Sequence, residues 1–493
     1  MNALRHIGTL VLCFLMLAPA VASAQQEAPM TLQECIRLAQ NSSPESIIAK
    51  KGYASVYWSY KSYKAGLLPQ MRLDLNTPGI LRSISQITQN DGTQAFIEQN
   101  QAFSSGVLSI SQQIAPTGGT VSLSSGLTRL DVFGDNAYRV YQGTPLRVGL
   151  NQPLFNYNEL KWQKQIQPVQ FQLAERRYLE ALEDIAVSTA SKYFDVYIGE
   201  MTLENAQFNL NITDSVYTIS EGRFRVGKIA ENDLLQTELA FLNAQADLQS
   251  AEIGLQKAKL ELAISLGLNN HETISVVQPD ELPIIAIDPE VALVEARNNR
   301  SDLLDFKVRG LQAESAVAQA KATSRFNANI NATFGLNQSG STVADAYNNL
   351  LDQQTASIGV GIPILQWGRG KARVESAQVA RERESESIKL DQRRLERDVR
   401  FQVMDFVQVQ KQLIIAAKAD TIGQRRFEVS KNRYLIGKID ITNLQIAQAE
   451  KDSARRNYIQ ALKRYWVTYF QLRRATLYDF LKSEKLMPPE SNF

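Results

Sequence analysis

"RFRVGKIAENDLL" fills 223–235 and "RYLIGKIDITNLQ" fills 433–445, so one short passage is written twice, 210 residues apart. Arg, an aromatic residue, Gly-Lys-Ile and a later Leu hold the same places in both. The offset extends outward. "LRVGLNQPLFNY" (146–157) lies over "ASIGVGIPILQW" (356–367) without a gap, with Val148 on Ile358, Gly149 on Gly359 and Pro153 on Pro363. Further upstream the offset becomes 257: "LAQNSSPESI" (38–47) lies over "EARNNRSDLL" (295–304), and "MRLDLN" (71–76) over "ANINAT" (328–333). The first copy therefore carries 47 extra residues between its strands. Each copy reads helix, strand, loop, strand, long helix, turn, long helix, the signature of a chain built by repetition.

The strands declare themselves by alternation. Phe326, Ala328, Ile330, Ala332, Phe334 and Leu336 alternate with Asn327, Asn329, Asn331, Thr333, Gly335 and Asn337, and Ile358, Val360, Ile362 and Ile364 with Gly359, Gly361 and Pro363. Met71, Leu73 and Leu75 alternate with Arg72, Asp74 and Asn76. One oily and one Asn-rich face fit a barrel between lipid and water, and equally a sheet with one wet face. Within the extra residues, "VLSISQQIAPTGGTVSLSSGL" (107–127) reads as a hairpin closed by Gly118-Gly119. Its place inside or outside the sheet is open at this point.

The helical stretches exceed what a globular core needs. About 157–219 is unbroken except at Pro168, and about 371–430 except at Gly423, giving roughly 95 and 90 Å. Beyond each turn follows a shorter helix, about 231–266 and 441–481. Stacked on short helices at 45–66 and 301–323, these match the long pair in length, so each chain offers a four-helix cross-section. Leu234, Phe241, Leu248, Leu255 and Leu262 recur every seven residues, a spacing that favours left-handed supercoiling. Small residues ride three further on: Thr237, Ala244, Ala251, Ala258 and Ser265, and in the second copy Ala447, Ala454, Ala461, Thr468 and Ala475.

Composition excludes much. Net charge is +2 over 493 residues, which offers no phosphate-neutralising surface for nucleic acid. Arg5 and His6 precede an apolar run from Ile7 to about Leu17, and Ala22-Ser23-Ala24 closes a secretory leader over 1–24. The mature chain then holds one cysteine, Cys35, and one histidine, His271. That is too little for a His-containing triad, a zinc site or a Cys–His pair. The acids in "RERESES" (381–387) mix with arginines and read as a solvated face. No enzyme and no cofactor is expected. No later run reads as a transmembrane helix, so membrane entry would have to use strands.

In the doubled order, the two tip passages and Pro-Leu-Phe or Pro-Ile-Leu at strand ends, the chain resembles the TolC-like outer-membrane efflux channels over nearly its whole mature length. The resemblance implies an α+β membrane protein with a homotrimeric outer-membrane β-barrel, four strands per protomer or six, continued by a periplasmic α-helical coiled-coil tunnel. It divides the chain into a first repeat over 25–268 with strands about 70–155, a linker over 269–299, a second repeat over 300–481 with strands about 326–365, and a tail over 482–493. It implies a passive exit channel of a tripartite efflux or type I secretion system in a Gram-negative outer membrane. The partners implied are a periplasmic membrane-fusion adaptor, an inner-membrane transporter of the RND or ABC type, and outer-membrane lipid. Gly227 and Lys228, with Gly437 and Lys438, become the periplasmic tips that meet the adaptor. Asp233 and Tyr434 carry over as a carboxylate–aromatic latch at the mouth. At the family's constriction, where some members place acids, this chain has Asn443 and Ile446, and Ile439 replaces a basic residue. Tyr157, Trp162 and Trp367, where strand gives way to helix, are expected as membrane-interface aromatics. The competing reading is a soluble periplasmic coiled-coil scaffold or adaptor.

Overall fold

A computed structural model describes residues 29–487, apart from Gln89, Asn136, 270–273, 278–283, Gly437, Asp440 and the side chains of Leu435 and Ile441. The leader expected over 1–24, His271, Gly437 and the end of the tail lie outside the described residues. In chain order the elements are α1 (Leu32–Ser42), α2 (Pro44–Gly66), β1 (Gln70–Thr88), β2 (Gln94–Ile114), β3 (Gly119–Val132), β4 (Tyr138–Leu154), α3 (Glu159–Arg225) and α4 (Glu231–Leu266). Then follow α5 (Pro289–Asn299), α6 (Asp302–Ser324), β5 (Asn327–Gly340), β6 (Leu351–Gly361), α7 (Arg369–Leu435), α8 (Ile441–Thr476), β7 (Tyr478–Asp479) and β8 (Glu484–Lys485). The helices of the two halves match in length, at 11, 23, 67 and 36 residues each.

Local chemistry sets the boundaries. Ser43 caps α2 by accepting the Ser46 N–H, with Pro44 pre-set for the first turn, and Asp288 with Pro289 does the same for α5. Gly227 ends α3 at φ +69°. Its N–H donates to the Phe224 carbonyl and the Lys228 N–H to the Arg223 carbonyl, at 2.8 and 2.9 Å. This is the double-bonded helix stop that glycine favours. The Lys438 N–H donates to the Arg433 carbonyl in the same way, 210 residues on. Helix α8 stops at Thr476, short of the expected 481, because Leu477 turns at φ +48° and β7 follows.

The chain divides into two compact units. The first comprises Asp195–Ile264, Leu268–Asp280 and the chain up to Cys35. There the distal part of α3 packs on α4, and the small stripe is what α4 buries: Thr237, Ala244 and Ala251 are all under 9% exposed. Leu255 lies only 3.0 Å from where a Cβ on Gly199 would stand, so the two backbones approach closely. Nearer the tip Tyr217 and Phe241 stack, ring centroids 6.0 Å apart.

The second unit comprises Ile36–Phe194, Ser265–Gly267 and Glu281–Phe493. Its helical core is aromatic, built on Phe406, Tyr465 and Tyr469. Beside Tyr469, the buried Arg473 makes a two-pronged bond to Glu183, both at 2.7 Å, and reaches Asp479 at 3.1 Å. Asp479 also accepts the Tyr469 hydroxyl at 2.6 Å. Burial, and then that bond, hold the Tyr469 phenol well above its ordinary range. Burial pushes the Asp479 carboxyl up, but donors led by Tyr469 outweigh it and the net direction is down.

Candidate functional site

All six long strands of the second unit form one antiparallel sheet in the order β1-β2-β3-β4-β5-β6. The hairpin at 107–127 therefore lies inside the sheet, where β2 and β3 stand between β1 and β4. Pro78 and Pro145 fall at register shifts, between Asn76 and Gly79 and between Gly143 and Leu146, where a missing N–H costs no ladder bond.

Register sorts the side chains into two faces, since directly paired residues in an antiparallel sheet share a side. Leu73 pairs with Leu108, Ile110 with Leu123, Leu123 with Val148, Val148 with Phe334 and Ile330 with Ile358, so one face is apolar across all six strands. No described part of the chain covers it: Leu73 is 58% exposed, Phe334 51% and Ile358 69%. The opposite face is small and polar. Arg72 pairs with Ser109, Ser109 with Ser124, Ser122 with Gly149, Gly149 with Thr333 and Thr333 with Thr355. A side chain on Gly149 would displace the Ser122 hydroxyl, which stands 2.6 Å from the would-be Cβ. The outer edges of β1 and β6 pair with no described strand of the chain.

The border between sheet and helices treats the three expected aromatics differently. Trp367 is 89% exposed, near the exposed Ile364 and Leu365. Trp162 is a correction: it packs inward on Ile166, Val169, Leu173 and Val308, because docking of α3 on α6 takes that face of the helix. Tyr157 is half-buried and bonds through its hydroxyl to Ser315. Sequence reasoning passed over Phe155, which sits at φ +65° with its ring 5.0 Å from that of Phe326.

At the tips, Gly227, Lys228 and Lys438 are exposed. Asp233 proves to be part of the helix start. Its carboxylate accepts the Ala230 N–H at 3.3 Å and its own N–H returns to the Ala230 carbonyl at 3.1 Å. Ala230 has no capping oxygen of its own, and the acid three residues on supplies one. That spacing was visible in the sequence. Asp233 belongs to the first unit, whereas Tyr434, 7% exposed, belongs to the second. In the second unit Asn443 lines an open groove of about 630 Å³ with Ile422, Arg425, Arg426, Val429 and Arg433. Arg426 pairs with Glu450 across α7 and α8. Among the described residues no group of three or more His, Cys, Asp or Glu could hold a metal ion. Nor is any described helix long and apolar enough to cross a membrane.

With this geometry in view, comparison is informative. The chain matches the outer membrane efflux protein family over residues 110–268 and 292–476. It belongs to that family. It is 24% identical over 287 residues to the toxin and drug export protein A of Aggregatibacter actinomycetemcomitans, an alignment spanning 56% of this chain and 61% of that protein. The fold is similar to that of the Campylobacter jejuni CmeC outer membrane channel, with a TM-score of 0.66, 13% identity and coverage of 93% and 87%. It is similar as well to the open state of the Neisseria gonorrhoeae MtrE outer membrane channel, with a TM-score of 0.62, 15% identity and coverage of 94% and 91%.

Proposed function

We propose that this chain is a passive exit channel of the outer membrane, working as a homotrimer at the end of a tripartite efflux or type I secretion system. The observation that carries the reading is the two-faced sheet. An apolar face crossing six strands and left uncovered by the described residues suits lipid, and the hydroxyl- and Gly-lined face behind it suits a water-filled lumen. Open edges at β1 and β6 call for neighbouring copies, since six strands alone are fewer than the eight that just enclose their own side chains. Helix α7 supports the same reading. Ile415, Ile422 and Val429 form an exposed stripe at seven-residue spacing, at 69, 59 and 53%, the kind of seam that a second copy covers. The matched 67- and 36-residue hairpins are then two copies of one plan, giving six tips around a periplasmic mouth.

The tips at Gly227–Lys228 and Gly437–Lys438 are the contact for a periplasmic adaptor that leads to an inner-membrane transporter of the RND or ABC type. Arg425 and Arg433, exposed at the rim of that seam, favour an acidic segment of the adaptor. Asp233 and Tyr434 serve as the latch of the closed mouth, with Asn443 beside it. The named relative exports toxin and drugs, and cargo of either class fits a passive duct. The deciding experiment is the mass of the mature protein extracted from outer membranes, measured with and without detergent, followed by conductance in planar bilayers. Three chains in a detergent-dependent, conducting particle is the expected result. A monomer that stays in solution without detergent would overturn the reading in favour of a periplasmic scaffold. For the latch, Tyr434→Phe is expected to raise the resting conductance, and an unchanged resting state removes it.

A further inference from the structure

Four strands continue directly into helices. α2 ends at Gly66 and β1 begins at Gln70; β4 ends at Leu154 and α3 begins at Glu159. α6 ends at Ser324 and β5 begins at Asn327; β6 ends at Gly361 and α7 begins at Arg369. The hairpin β2–β3 alone has no helix beneath it. Its turn rests instead on the start of α3, where the Asn158 amide donates to the carbonyls of Ala115 and Pro116 at 2.9 and 3.1 Å. Gly118, at φ +74°, leaves room for that amide. The hairpin is nonetheless fully registered, with β2 paired along β1 and β3 along β4. It is a wall segment, not a loop.

The geometry says what the extra wall does. Four helices side by side, each about 10 Å across, occupy roughly 40 Å of circumference per chain. Strands spaced about 4.8 Å and tilted about 40° take roughly 6.3 Å each, so four would span only about 25 Å and six about 38 Å. With six strands, the sheet matches the width of the helices that carry it.

We infer, resting on the trimeric channel reading above, that β2–β3 widens the barrel to eighteen strands and opens its pore to bulky hydrophilic cargo of polypeptide girth. Eighteen such strands give a backbone radius of about 18 Å, against about 12 Å for twelve, and roughly twice the cross-section. Barrels of 16–18 strands leave an aqueous channel. About 5 Å of side chain on each wall still leaves a passage roughly twice as wide as an α-helix. Around its turn the added wall is uncharged: no Asp, Glu, Lys or Arg occurs from Ser104 to Thr128, and Glu98, Arg129 and Asp131 stand toward its other end. Its polar face presents Ser109 and Ser111 opposite Ser124 and Ser122. The hairpin thus adds hydroxyls to the polar face, whose charges at Arg72 and Arg147 come from the strands on either side.

The test uses full-length protein in planar bilayers. Cys35 is fully buried, and Cys13 lies in the leader expected to be removed, so introduced thiols report alone. Ser109→Cys and Ser122→Cys place a thiol on the polar face of the hairpin, Leu108→Cys and Leu123→Cys on its apolar face, and Thr333→Cys on the polar face of β5. Each is treated with a bulky, membrane-impermeant maleimide polymer. The expected result is a large conductance loss at 109, 122 and 333 with none at 108 and 123. Block at 333 alone overturns the inference, and so does modification at 109 and 122 without loss of conductance. Absence of conductance even from the unmodified wild type overturns the channel reading itself. Neutral polymer sizing from the barrel side gives an independent check: failure of polymers about 20 Å across to enter the barrel end of the wild-type pore would match a twelve-stranded width and sink the proposal.

Discussion

Arg473 is the side chain on which the lower helical core turns. It is 15% exposed and bridges Glu183, 290 residues away in sequence, to Asp479. Removing one partner leaves a buried charge uncompensated, so Glu183→Gln is expected to destabilise the protein by about 3 kcal/mol, read from denaturant midpoints in detergent. Asp479 makes the same cluster acid-sensitive. Its folded-state affinity for protons is lowered, so its contribution is present above the ordinary aspartate value and is lost as pH falls through the lower folded value. Unfolding free energy should therefore decline below about pH 4, and Asp479→Asn should flatten part of that decline. If the variant follows the wild-type curve, the linkage is wrong. None of this network was legible in the sequence, because its partners meet only after α3 and α8 have packed. Asp233 is the opposite case: an acid at the third position of a helix is a local signal, and the interaction it makes is local.

Periodicity carried most of the element order, since each helix or strand buries or exposes a face set by its own backbone repeat. The 36-residue α4 and the two 67-residue helices follow from uninterrupted helix-forming sequence between glycine turns. Strand β1 shows where this reasoning stops. Alternation over 71–76 is plain, but Pro78 and Gly79 interrupt it, and the strand continues to Thr88 only because β2 supplies a partner through the bulge. Likewise "TGG" marks the β2–β3 turn locally, whereas membership in the sheet depends on pairing with β1 and β4. The stripes on the helices predict separable effects. Ala251→Leu forces a large side chain into a close helix pair and should cost about 1–3 kcal/mol with the oligomer otherwise intact. Ile415→Ser with Ile422→Ser touches an exposed seam; it should leave the helical circular dichroism unchanged but shift the detergent-extracted particle from three chains toward one. Equal loss of stability in both variants would remove the distinction between an inner and an outer seam.

The two compact units divide the labour, one holding the first helical tip and the other the sheet and the second tip. Partner recognition should follow that division. Reversing charge in the groove of the second unit, Arg425→Glu with Arg433→Glu, is expected to weaken binding of an acidic adaptor segment about tenfold at low salt, with the difference shrinking as ionic strength rises, measured by titration. A salt-independent loss would point to packing instead. The uncovered sheet has a further meaning for the protein's early life. A newly made chain has to cross an aqueous compartment before it meets lipid, bearing an oily surface and two strand edges that any other chain could join. The helical hairpins α3–α4 and α7–α8 join elements close in sequence and form early, whereas β4 must find β5 across more than 170 intervening residues. If three copies close the sheet as proposed, its edge strands have nothing to close against until those copies meet. Safe passage for this protein therefore depends on staying incompletely folded until assembly.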